Sequence, residues 1–62
     1  MINRRITIVE AEHCITITSS SLIMIYNIDN GEYDIDVLND LSQNNYHDQL
    51  KLFKEIIQLL LI

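Results

Sequence analysis

A chain of 62 residues with nine acidic and four basic side chains, a formal net charge of −5, can enclose one small core and no more. Four cations are too few for the clustered phosphate contacts of direct nucleic-acid binding, and the single cysteine, Cys14, excludes an internal disulfide. With 48% apolar residues, twelve of them isoleucine, no proline and one glycine, the composition excludes an unstructured chain.

The chain begins with Arg4 and Arg5, but Ile6 to Ala11 alternates with polar residues and runs into Glu10 and Glu12, unlike the apolar stretch of a signal peptide. A cytoplasmic location is therefore expected, where a free thiol is stable. Four short runs then read as strands: Arg5 to Val9, Cys14 to Thr18, Leu22 to Ile28 and Tyr33 to Val37. β-Branched residues dominate them, and apolar and polar side chains mostly alternate, with Leu22 to Ile28 apolar on both faces over its first half.

The turns between these runs suggest a register. Asn30-Gly31 is a strong two-residue hairpin signal, because a type I′ turn needs positive φ at both central positions. That loop would oppose Ile28 with Tyr33, Tyr26 with Ile35 and Met24 with Val37. A loop at Ser19-Ser20 would oppose Ile17 with Leu22 and Ile15 with Met24. One at Ala11-Glu12 would oppose Ile8 with Ile15 and Ile6 with Ile17, though a longer turn is also open there. All three place the same apolar residues on one face, which points to an antiparallel meander.

After Val37 the period changes. Leu38 and Leu41, three apart, suggest a helical turn over residues 38–43 that ends at Asn44-Asn45. Asn45 then reads as the N-cap of a helix over residues 46–62, with Asp48 in its first turn. A single bent helix from Val37 onward is the alternative. Tyr46, Leu50, Phe53, Ile57 and Leu60 recur at the spacing of one helical face. That face is expected to lie on Ile6, Ile15, Met24, Tyr26 and Ile35, with Tyr46, Leu50, Phe53 and Ile57 the most buried of the helix. The fold class is thus α+β: a small antiparallel β-meander of three to four strands (residues 5–37) with one C-terminal helix packed on one face, all in a single domain.

On a wheel of about 100° per residue the apolar arc spans about 200°, more than a sheet surface covers. Leu52, Ile56 and Leu59 form the surplus stripe. Either Leu38 and Leu41 cover it within one chain or a second copy's helix packs there; the spacing favours a homodimer. A membrane partner is not expected, because the helix is short, carries Lys51, Lys54 and Glu55, and belongs to an acidic chain.

From Asp29 to Asp48 the chain has six acidic residues and no lysine or arginine. Asp29, Glu32, Asp34, Asp36 and Asp40 are the candidate partner-binding residues, and a protein with a basic surface is the natural counterpart. The opposite face of the sheet carries Val9, Cys14, Ile23 and Ile25 beside these acids, an apolar patch rimmed by charge.

No catalytic, metal or cofactor site is expected. His13 and Cys14 are neighbours on a strand and so point to opposite faces, where the one does not activate the other. His47 and Asp48 have no second histidine at metal-binding spacing. Asp29, Asp34 and Asp36 lack the glycine and glutamate spacing of a calcium loop, and one glycine makes no phosphate-cradling loop.

In size, acidity and richness in isoleucine and asparagine the chain resembles small proteins encoded by phages and mobile elements of low-GC bacteria. Some of those inhibit host nucleic-acid enzymes, anti-CRISPR proteins among them. The resemblance lies in composition alone and carries no residue assignments. The leading expectation is a non-enzymatic binding protein, a dimer, that uses its acidic hairpin and following turn to occupy a basic site on another protein, as an inhibitor of a nucleic-acid-handling protein with mimicry of DNA as its specific form. The alternative is a structural or scaffolding homo-oligomer subunit.

Overall fold

The computed structural model describes residues 5–62. Four strands form one antiparallel sheet in the order β1-β2-β3-β4, where β1 is Thr7–Glu10, β2 Cys14–Thr18, β3 Leu22–Asn27 and β4 Tyr33–Val37. One helix, α1, spans Gln43–Leu60 and lies on one face of that sheet. The α+β meander read from the alternation is therefore the fold.

Each register differs from the expected one by two residues. Ile8 pairs with Ile17, Ile17 with Met24, and Met24 with Ile35. Because a strand has a two-residue repeat, such a shift leaves every side chain on its expected face. The shifts come from the turns. Asn27 Oδ1 accepts hydrogen bonds from the amides of Asp29 (2.8 Å) and Asn30 (3.3 Å). The Gly31 amide closes back on the Asn27 carbonyl at 2.9 Å, so residues 28–31 form a four-residue loop. Only Gly31 in it has positive φ, +76°, whereas a type I′ turn would need Asn30 there too. At the β2–β3 turn, Ser19 Oγ accepts from the Leu22 amide at 3.1 Å, which moves the loop to Ser20-Ser21. At the β1–β2 turn, the Ala11 amide donates to the Cys14 carbonyl, and Glu12-His13 become the loop.

The helix also begins earlier than its apolar repeat suggests. Ser42, not Asn45, is the N-cap, with its side-chain oxygen accepting from the Asn45 amide at 3.2 Å. Asn44 and Asn45 are helical, and no acidic residue falls in the first turn, so Asp48 does not serve the helix dipole there. Residues 38–42 are not helical, which removes the expected turn over 38–43. Instead the Leu38 amide bonds to the Ser21 carbonyl and Asn39 Nδ2 to the Ser20 carbonyl, an extended connection tied to the β2–β3 turn. These bonds hold residues 38 and 39 against the β2–β3 turn in place of the expected helical turn.

The core lies between the two central strands and the helix: Ile15 and Ile17 from β2, Leu22 and Met24 from β3, Phe53 and Ile57 from α1. Ile6, Tyr26, Ile28, Ile35, Leu41, Tyr46, Leu50 and Ile56 pack around it, partly buried. Phe53 and Ile57 are thus buried as expected, while Tyr46 and Leu50 sit at the margin. Gln49 meets Ser19 at one end of the sheet, and Lys54 Nζ lies 5.3 Å from the Tyr33 ring centre at the other. The 18-residue helix is about 27 Å long against about 20 Å for a six-residue strand, so its C-terminal turn reaches past the core.

Candidate functional site

A sheet with one helix has one face covered and one open. The open face holds every side chain that alternation turns away from α1, in three rows across the strands. Val9, Thr16, Ile25 and Asp34 form the middle row through successive cross-strand pairs. Thr7, Thr18, Ile23 and Asp36 form the row beside it. On the other side, Ala11 bonds to Cys14, Cys14 pairs with Asn27, and the Asn27 amide donates to the Glu32 carbonyl at 2.7 Å. Each row therefore ends in a carboxylate: Asp34 and Asp36 on the edge strand and Glu32 just before it.

Glu32, Asp34 and Asp36 stand two residues apart, about 7 Å from one to the next in a strand. All three are exposed, and among the described residues none makes an ion pair. Beside them Ile25 is 44% exposed and Val9 57%, while Cys14, Thr16, Thr18 and Ile23 are half-buried by their neighbours. The patch is apolar and threonine-rich at its centre and acidic along one side, and its Cβ-branched members hold few rotamers. Such a surface loses little side-chain entropy when something is laid on it.

The other two acidic candidates stand apart. Asp29 lies in the β3–β4 loop, where its carboxylate is 2.9 Å from His13 Nδ1 in the neighbouring β1–β2 turn; the Ile28 amide bonds to the His13 carbonyl beside it. Asp40 lines a groove at the far end of the sheet with Arg5, Ser20, Leu41, Asn45 and Asp48. So the structure brings Glu32, Asp34 and Asp36 together and separates Asp29 and Asp40 from them. The His13 partner of Asp29 escaped sequence reading, although a meander places both turns at the same end of the sheet.

The stripe proposed for self-association divides too. Ile56 packs against the core of its own chain, and Leu52 lines the groove beside Leu41 and Phe53. Leu59 is 71% exposed, and after it Ile62 is almost wholly so. Cys14 is a half-buried member of the open face, opposite Asn27, and His13 is held in its turn by Asp29. Among the described residues no three His, Cys, Asp or Glu side chains are grouped to hold a metal ion, and no helix is long and apolar enough to cross a membrane. Comparisons with protein-family models, with curated proteins and with solved structures returned no match.

Proposed function

We propose that this chain is a small, acidic, non-enzymatic protein-binding module of the cytoplasm that lays the open sheet face and its acidic edge on a basic surface of a nucleic-acid-handling protein. The observation that carries the reading is the row Glu32, Asp34, Asp36 beside the exposed Ile25, on a face that no other element among the described residues covers. An apolar patch rimmed by like charge combines a desolvated centre with long-range steering of an oppositely charged partner. Carboxylates about 7 Å apart along a strand are also spaced much like successive phosphates of one nucleic-acid strand, which makes inhibition by mimicry the specific form of the proposal. The compositional likeness to small phage and mobile-element inhibitors supports it.

The test is charge reversal at Asp34 and Asp36, both to lysine. Binding to a basic nucleic-acid enzyme should be strong at low salt, weak at high salt and absent in the double variant, whose melting should match the parent because exposed charges contribute little to folding. Equal binding by parent and variant would reduce the acidic row to a solvated face.

A second reading, a self-associating scaffold subunit, draws on the exposure of Leu59, Leu61 and Ile62 at the overhanging end of α1. A homodimer formed there leaves the acidic face free, so the two readings are compatible in one molecule.

A further inference from the structure

The acidic row lies on an edge strand, and the backbone of that strand points to how a partner docks. In the ladder between β3 and β4, the Asn27 amide donates to the Glu32 carbonyl and the Leu38 amide to the Ser21 carbonyl, both at 2.7 Å. These bonds fix the alternation: Asp34 and Asp36 turn their N–H and C=O groups inward to β3, as do the Glu32 carbonyl and the Leu38 amide, while the Glu32 amide donates to Asn30 Oδ1 at 2.9 Å. Tyr33, Ile35 and Val37 then turn theirs outward, on the side where the strand order ends. A row of backbone donors and acceptors facing outward is a template for one more strand.

We infer that β4 takes up an extended segment of the partner as a fifth strand, one with lysine or arginine at every second position and β-branched or apolar residues between. This deepens the binding proposed above and rests on it. In an antiparallel addition the new backbone bonds run to Tyr33, Ile35 and Val37. Residues opposite Asp34 and Asp36 then fall at non-hydrogen-bonded positions, where Cα atoms approach to about 4.5 Å instead of about 5.5 Å. The carboxylates thus meet the partner's side chains where cross-strand contact is closest, which selects cations there. On the helix side the intervening residues meet Tyr33 and Val37, which are 40% and 55% exposed, so apolar side chains are matched there. Pocket chemistry on one face and charge on the other, with affinity from the main chain, is the general logic of strand addition.

A second copy of β4 is excluded by the same alternation. Antiparallel pairing must match outward residues with outward ones, so every register of two β4 strands that pairs at least two of Tyr33, Ile35 and Val37 sets carboxylate against carboxylate. The edge is closed to itself and open to a strand of opposite charge.

The probe is a blocked heptapeptide of alternating lysine and valine, compared with the same peptide N-methylated at its valines, which keeps the charge and removes the outward donors. With the parent chain, the plain peptide should bind and slow amide hydrogen exchange at Tyr33, Ile35 and Val37. N-methylation should weaken binding by about tenfold or more, as loss of several backbone hydrogen bonds requires. Val37→Pro, which removes an amide that no other strand of the sheet uses, should weaken the plain peptide in the same way, and Asp34→Asn with Asp36→Asn should abolish the salt dependence. If both peptides bind alike and the three amides exchange unchanged, strand addition is wrong while the acidic-surface reading stands. If neither peptide binds at low salt, both fall. Protection of the three amides by rising protein concentration alone would assign the edge to another copy, through β1, and overturn the inference.

Discussion

Ser19 and Gln49, thirty positions apart, meet in a hydrogen bond of 2.8 Å that joins the β2–β3 turn to the second turn of the helix. The hydroxyl donates to Gln49 Oε1 and accepts from the amides of Leu22, at 3.1 Å, and Ser21, at 3.3 Å. One small side chain therefore shapes the turn and fixes where the helix lies along the sheet. Ser19→Ala should cost about 1–2 kcal/mol and Gln49→Ala about 0.5–1.5 kcal/mol in urea unfolding, since the first strands a half-buried amide and the second removes only one partner. The double variant should cost less than the two singles added together. Full additivity would mean that the bond contributes nothing as a bond.

Phe53 is wholly buried between the helix and the two central strands. Phe53→Ala should cost about 3–5 kcal/mol, which is most of the stability expected of so small a domain. Loss of the cooperative thermal transition is the expected outcome. A variant that melts near the parent temperature would show that this ring does not hold the helix to the sheet.

Gly31 has φ of +76°, and a Cβ built on it would meet nothing closer than the Tyr26 hydroxyl at 3.7 Å. Space is available, so the cost of Gly31→Ala is conformational alone, about 1–2 kcal/mol. Gly31→Asn should cost less, because asparagine visits that region more readily. Equal losses for both variants would point to a steric cause that the loop does not contain.

For the overhanging end of α1, the expectation is self-association. Stability should rise with protein concentration if Leu59 is buried in a dimer, and Leu59→Lys should remove that rise without lowering the melting temperature of the dilute protein. A monomer in sedimentation at high micromolar concentration, with a melt that is the same on dilution, would leave the acidic face as the molecule's contact surface.

Which residues share a face was readable, because alternation reports parity. The register was not, because any even shift preserves the pattern. Ile17 lies on the core face whether it meets Leu22 or Met24. The choice was made by side chains that bond to nearby backbone, Asn27 in one turn and Ser19 in another, and such bonds leave no mark on hydropathy. The helix start was hidden for a related reason. Ser42 is three residues before Asn45, but a capping box has Glu or Gln at that position, so the serine stood out less than the asparagine pair. At the candidate site, the gathering of Glu32, Asp34 and Asp36 follows from parity, whereas the fate of Asp29 and Asp40 depended on loop geometry.

One layer of helix on one face of sheet gives the chain two rhythms of substitution tolerance. Within each strand every second residue faces the helix side and its neighbours face outward, so a scan of all single substitutions should show sensitivity beating at two residues, its phase reset at each turn and its amplitude strongest in β2 and β3, where Ile15, Ile17, Leu22 and Met24 are buried. Past Ser42 the beat should lengthen to three or four, peaking at Phe53 and Ile57, and then fade over the last turn. At Asp34 and Asp36, the open-face residues of β4, such a scan would be quiet for folding. Any sensitivity measured there in a binding screen would therefore belong to the partner alone.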